Sequence, residues 1–173
     1  NKDYALLLST CAGAWRYMIG DVIRFVDVEH ANIIISGRTK HFLSLVGEHL
    51  SVDNMNKAIE HLSQVLDIEI PEYMVTGIPY EGTFAHQWYL GTNKAFDVDK
   101  ARKILDDKLK EVNDDYAVER ISALKDVFVQ AVPSEYFYEF MTQKGKMGGQ
   151  NKFPRVMKST QAEEWKSFLA GKI

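Results

Sequence analysis

Apolar residues concentrate near the start of the chain, where Tyr4 to Thr10 form a short, nearly continuous run. That is the pattern of a strand covered on both faces. Cys11–Ala14 make a small-residue turn. From Val22 to Val28 apolar and polar positions alternate, and Asn32–Ile35 follows a polar break, which predicts an antiparallel pair. Gly37–Lys40 interrupts the pattern, Phe42 to Val46 restores strand character, and Gly47-Glu48 turns the chain again. Because the chain opens already inside strand-like sequence, it reads as a fragment whose preceding part would cover this first strand.

Further on, the period changes. Ser51 is placed to cap a helix with Asp53 in its first turn, and Met55, Ile59, Leu62 and Leu66 fall at helical spacing. Tyr73–Ile78 and Phe84–Leu90 read as strands joined by the turn signal Pro-Tyr-Glu-Gly-Thr. Asp97 caps a second helix, with Ala101, Ile104, Leu105, Leu109 and Val112 on one face, and Asn113-Asp114-Asp115 restarts a short third one. Asp126–Val132 is a strand ended by Pro133. A short helix from Ser134 to about Met141, a Gly- and Lys-rich loop and an amphipathic helix over Ser159–Ala170 complete the chain. From residue 41 the order is strand, helix, strand, strand, helix, strand, helix. It predicts the α+β class: a small mixed or antiparallel sheet of split βαβ type, with helices against one face.

Composition narrows the function classes. The 173 residues are the size of one domain, or one domain and a piece of another. At 46% hydrophobic and 12% aromatic the chain can build a core. A formal charge of −3 offers no general attraction to nucleic acid or to an anionic membrane. No apolar run approaches the ~20 residues that span a bilayer, and no signal-peptide pattern is present. The single cysteine, Cys11, excludes an internal disulfide and a cysteine-based zinc site, suits a reducing cytoplasm and is expected to be buried and structural. The five histidines show no metal-ligand spacing, so no metal site is expected and satisfied or surface histidines are the default.

Three stretches could carry chemistry. In Trp15–Phe25, Gly20 permits a tight backbone turn that presents Asp21, whose carboxylate suits a sugar's vicinal hydroxyls; a plain hairpin turn explains the same spacing. In Ser36–Phe42, Arg38 offers a planar donor fork for phosphate or ribose oxygens, and Gly37 allows the backbone freedom of a hinge. A basic β-bulge is the alternative there. In Lys144–Arg155, a Gly-Gly loop precedes Lys152 and Arg155, cations able to meet charge developing on a phosphoryl group. The ending Gly-Lys-Ser/Thr of a Walker loop is absent, and a lysine-rich surface loop fits as well.

Taken in order, residues 4–25, Ile35–Ile59, Phe84–Leu90 and Gly145–Arg155 resemble the C-terminal part of the Gretchen Hagen auxin-responsive family of acyl-acid amido synthetases, bacterial members in particular. The resemblance spans nearly all of residues 4–158. It implies the adenylate-forming superfamily: a carboxylate attacks the α-phosphate of Mg-ATP, pyrophosphate leaves, and an amine such as that of an amino acid then displaces AMP. It further implies that residues 1–36 are the last strands of an N-terminal adenylation domain that binds most of the ATP and Mg2+. Residues 37–173 are then the mobile C-terminal domain.

By the same resemblance Asp21 matches the ribose-binding aspartate, Arg16 and Tyr17 the element before it, and Gly37-Arg38 the hinge with its nucleotide contact. Lys40 stands where the wider superfamily often has a hinge aspartate. Lys152 matches the lysine delivered to the α-phosphate, with Arg155 beside it. The chain alone is expected to be inactive and to self-associate through its first strand. Two other classes stay open on the residues: a stand-alone ferredoxin-like module that binds a nucleotide or a protein, and, less supported by the charge, a nucleic-acid binder using the lysine-rich loop.

Overall fold

The computed structural model describes residues 2–38, 42–145 and 152–172, without the side chains of Arg38, Phe42 and Ser159. The chain divides into two compact units, Asn1–Phe42 with Ser51–Asp53, and Leu43–Leu50 with Asn54–Ile173.

The first unit is an antiparallel three-stranded sheet of β1 (Asp3–Leu8), β2 (Tyr17–Asp27) and β3 (Asn32–Arg38), in that order. The alternation in Val22–Val28 belongs to the longer β2, which begins at Tyr17 because Gly20, at φ +90°, lets the strand pass a position other residues resist. The pairing runs Asp21 to Arg38, Val22 to Gly37, then Ile23 to Ile35, so Ser36 is an extra residue and β3 carries a bulge there. The first strand is not covered as its apolar run predicts: Tyr4 and Leu7 are about half exposed. Consecutive Ile33, Ile34 and Ile35 are exposed too, so apolar side chains meet solvent on both faces of the sheet. Cys11 is exposed rather than buried, since its turn leaves the sheet with no described residue packed over it.

Between Phe42 and Ser51 the chain makes a two-residue strand β4 (Phe42–Leu43), a loop and β5 (Leu50–Ser51), which pairs with β4. Strand character is thus shorter than Phe42–Val46, because Leu45 and Val46 donate their amides to a side chain instead of a ladder.

The helix α1 (Val52–Leu66), which belongs to the second unit from Asn54 on, precedes the hairpin of β6 (Glu72–Tyr80) and β7 (Thr83–Gly91); α2 (Val98–Val112) and α3 (Asp114–Glu119) lead to β8 (Leu124–Val132), and α4 (Ser134–Gln143) and α5 (Ser159–Ala170) follow. The Asp97 side chain accepts from the Lys100 amide and Asn113 caps α3, as the polar punctuation predicts. β6 and β7 are antiparallel and β7 and β8 parallel, in the order β6-β7-β8. The α+β class stands. The parallel strands are immediate neighbours, so the unit through α2 and α3 is an unsplit βαβ.

Helices cover both faces of this sheet, not one. Trp88 and Leu90 join α1, α2 and Tyr116 of α3 in one core cluster. Tyr89, the residue between them, joins α4 and α5 in another, with Phe137, Phe140 and Trp165. Successive strand residues point to opposite faces, and here both are large and apolar, which requires a layer on each side. Gly91 ends β7 where a Cβ would lie 2.8 Å from the Glu72 carbonyl oxygen and 3.0 Å from the Phe137 ring. Gly91→Ala should destabilise the second unit by about 1–3 kcal/mol, read from the midpoint of urea unfolding.

Candidate functional site

Two surfaces hold the residues singled out by sequence, one on each unit. On the first, the bulge at Ser36 sets Arg38 opposite Asp21 and Gly37 opposite Val22. Opposed residues on antiparallel strands stand about 5 Å apart at Cα, so positions 21 and 38 share one face of the sheet. Gly37 lies in β3 with nothing within 4 Å of where a Cβ would be. Arg16 takes a left-handed φ of 48° just before β2, its amide donating to Ser9 Oγ at 3.1 Å, and Tyr17 opens the strand with its ring exposed. Lys40 and residues 146–151 of the Gly-Gly loop lie outside the described residues.

On the second unit, Lys152 is exposed at the start of a short anchored segment. Phe153 is buried against Phe137 and Trp165, with ring centroids 4.8 and 5.3 Å away. Arg155 turns inward: its guanidinium donates to Glu72 at 2.6 Å and to the Tyr73 carbonyl at 3.2 Å, and lies 4.4 Å from the Tyr73 ring centroid. The Val75 amide donates to the Arg155 carbonyl and the Met157 amide to the Val75 carbonyl, which adds this segment to the edge of β6. Lys152 is therefore the exposed end of an anchored strip. It lines a pocket of about 240 Å³ walled by Phe140, Met141 and Met157, with the ion pair Lys144–Glu164 at 2.8 Å on its rim.

The structure thus brings Asp21, Gly37 and Arg38 together, places Arg16 and Tyr17 at the start of the same strand, and sets Lys152 and Arg155 on the second unit. Among the described residues no three His, Cys, Asp or Glu side chains are grouped to hold a metal ion, and no helix is long and apolar enough to cross a membrane.

A buried polar cluster escaped the sequence reading. Glu48 accepts from the Leu45 amide at 2.9 Å, the Val46 amide at 3.0 Å and His86 Nε2 at 3.0 Å, and both side chains are fully buried. Burial by itself would raise the Glu48 pKa, but the hydrogen bonds from His86 and the loop amides outweigh it and hold the carboxyl at about 2. Burial lowers His86 against the opposing pull of Glu48. A neutral imidazole donating from Nε2 to a carboxylate fits both directions. Nearby, Asp106 accepts from Tyr116 Oη at 2.7 Å, Arg120 Nε at 2.8 Å and Lys110 Nζ at 2.7 Å. The one sequence signal was period two in Phe84–Leu90, which sets His86 on the face of Trp88 and Leu90.

The family model for the GH3 C-terminal domain matches residues 53–161, well over half of the chain. The chain belongs to the GH3 family. The model for the GH3 central domain matches residues 1–35. Two solved GH3 structures share the fold. One, a GH3.15 acyl acid amido synthetase, is 22% identical with a TM-score of 0.75 over 98% of this chain and 33% of its own. The other, AtGH3.15 acyl acid amido synthetase in complex with 2,4-DB, is 23% identical with a TM-score of 0.71 over 98% of this chain and 32% of its own. This GH3 chain spans about a third of the length of those proteins. Among curated proteins, none matches it.

Proposed function

We propose that this GH3 chain is the C-terminal portion of a bacterial-type, cytoplasmic, ATP-dependent acyl-acid amido synthetase. The observation that carries the reading is the pairing of Asp21 with Arg38 across the bulge of β2 and β3, in a chain of this family. The Asp21 carboxylate accepts the two ribose hydroxyls and the Arg38 guanidinium donates to ribose or phosphate oxygen. Arg16 and Tyr17 line the approach to that nucleotide. Residues 1–36 complete the adenylation domain and residues 37–173 turn about Gly37 and Lys40 to bring up Lys152. Arg155 serves nucleotide binding through Lys152, by anchoring the strip that carries it.

In the first half-reaction a carboxylate oxygen attacks the α-phosphorus, the bond to the β-phosphate oxygen breaks, and pyrophosphate leaves. The Lys152 ammonium meets the charge that builds on the α-phosphoryl oxygens. In the second, an amine nitrogen attacks the acyl carbon, the acyl–oxygen bond breaks, AMP leaves with that oxygen, and the nitrogen gives up one proton to solvent. Lys152 must by then have withdrawn to admit the amine, a domain motion on the μs–ms scale. The magnesium that accompanies ATP is proposed to bind mainly in the rest of the complete protein.

The test is ATP–pyrophosphate exchange. The complete protein should exchange only when a carboxylic acid is supplied, and Asp21→Ala should raise KM for ATP about tenfold, the loss of a charge-assisted hydrogen bond. The present chain alone should show no exchange and should associate through the exposed residues of its first sheet, eluting above 19.8 kDa. Exchange independent of any acid would sink the ligase reading. Tight calorimetric binding of AMP to this chain alone would favour a nucleotide-binding module instead.

A further inference from the structure

The loop between β4 and β5 is held on one cross-strand pair of the second sheet. Gly77 of β6 and His86 of β7 are register partners. At Gly77 a Cβ would lie 2.3 Å from Leu45 Cδ2, so the Leu45 side chain occupies a notch that glycine leaves open. At His86, Nε2 meets Glu48, which also gathers the Leu45 and Val46 amides. A carboxylate fixed by three N–H groups and fully buried from solvent is held by charge-assisted bonds and cannot leave its site cheaply. These contacts lie just after the segment where the ligase reading sets the hinge.

We propose that Glu48 and His86 are positioning residues: a buried carboxylate–imidazole clamp that fixes the chain from Leu45 onward to the β6–β7 pair. Domain reorientation between the two half-reactions is thereby confined to the chain before Leu45. The clamp stands on geometry, whereas its part in turnover rests on the ligase reading. Since Glu48 is an acceptor, His86 carries its proton on Nε2, and Nδ1 is a bare lone pair with no partner among the described residues. The groups facing it are Glu48, the Tyr116 ring at 5.8 Å, and Asp106 and Arg120 beyond. A second proton would place an N–H in that unpartnered position. Unfolding lets His86 take the proton, so the clamp is fully stabilising above about pH 6.5 and weakens as pH falls below it, with Glu48 following below about 4.5.

The experiment is hydrogen exchange on the complete protein, with kinetics alongside. Glu48→Gln and His86→Gln should each speed exchange of the Leu45 and Val46 amides about 10- to 100-fold, as expected for one lost bond to a charged group, while amides of α2 and β8 keep their protection. Leu45→Ala, which keeps the amide bonds to Glu48, should leave the Val46 amide protected. Unchanged exchange in the first two variants, or loss of protection in Leu45→Ala comparable to theirs, overturns the clamp. Should the first two unfold, nitrogen NMR of His86 in the wild type decides: the Nε2–H tautomer at pH 7 supports the clamp, and an Nδ1–H tautomer overturns it. In turnover, Glu48→Gln should lower kcat for amide formation with KM for acid and ATP unchanged. Unaltered kcat overturns the positioning role and leaves the clamp. A wild type without ligase activity instead sinks the ligase reading, and with it that role.

Discussion

On the proposed ligase function, Lys152→Ala in the complete protein should cut carboxylate-dependent ATP–pyrophosphate exchange by about 10²-fold or more, some 3 kcal/mol of transition-state stabilisation. The size follows from how the lysine is held. Its neighbour Phe153 is wedged between Phe137 and Trp165, and the residues after it are bonded along Val75 and by Arg155 to Glu72. The ammonium therefore leaves from an anchored root, and in the proposed role only its own four-carbon stem would have to be ordered against a phosphoryl group. Lys152→Arg keeps the charge but changes its shape, and should recover part of the loss. Lys144→Ala is the control: that lysine borders the same pocket but is paired with Glu164, so exchange should change little. Exchange at the wild-type rate in a folded Lys152→Ala protein removes this residue from adenylation.

Trp165→Ala should destabilise the second unit by about 3–5 kcal/mol, a large share of the 5–15 kcal/mol that holds a typical domain together. Trp165 is fully buried, with Phe137, Phe140, Phe153 and Phe168 at ring-centroid distances of 4.9, 5.2, 5.3 and 5.7 Å. Its removal opens a cavity among rigid rings that close-packed strands and helices cannot collapse to fill. Urea unfolding followed by the remaining tryptophans, or by circular dichroism, measures the shift of the midpoint. Trp165→Phe keeps most of the ring contacts and drops an indole N–H that has no partner among the described residues, so it should cost under about 1.5 kcal/mol. Similar losses for both substitutions would mean that the hydrogen-bonding edge, not the volume, holds the site.

Much of the local structure was readable. Asp97 and Asn113 announce their helices because a short side-chain acceptor satisfies the amide three residues on, a purely local event. The β6–β7 hairpin followed from two strand-like runs around Gly82, at φ +76°. Even the pairing of Asp21 with Arg38 lies between neighbouring strands, where a bulge was among the readings of Gly37-Arg38. The cover over both faces of the second sheet was also latent, in adjacent Trp88 and Tyr89.

Other features depend on partners distant along the chain. Arg155 reads as a cation available to phosphate until Glu72, 83 positions earlier, is found beside it. Glu48 and His86, 38 positions apart, each look like an ordinary surface residue until the fold closes over both. The exposure of Tyr4, Leu7 and Cys11 likewise depends on what packs over them, which no run of neighbouring residues encodes. Element type, caps and turns are short-range properties that residue chemistry sets within a few positions. Burial, the protonation of a histidine and the employment of an arginine arise from desolvation and pairing across the assembled core, and exist only once distant segments meet.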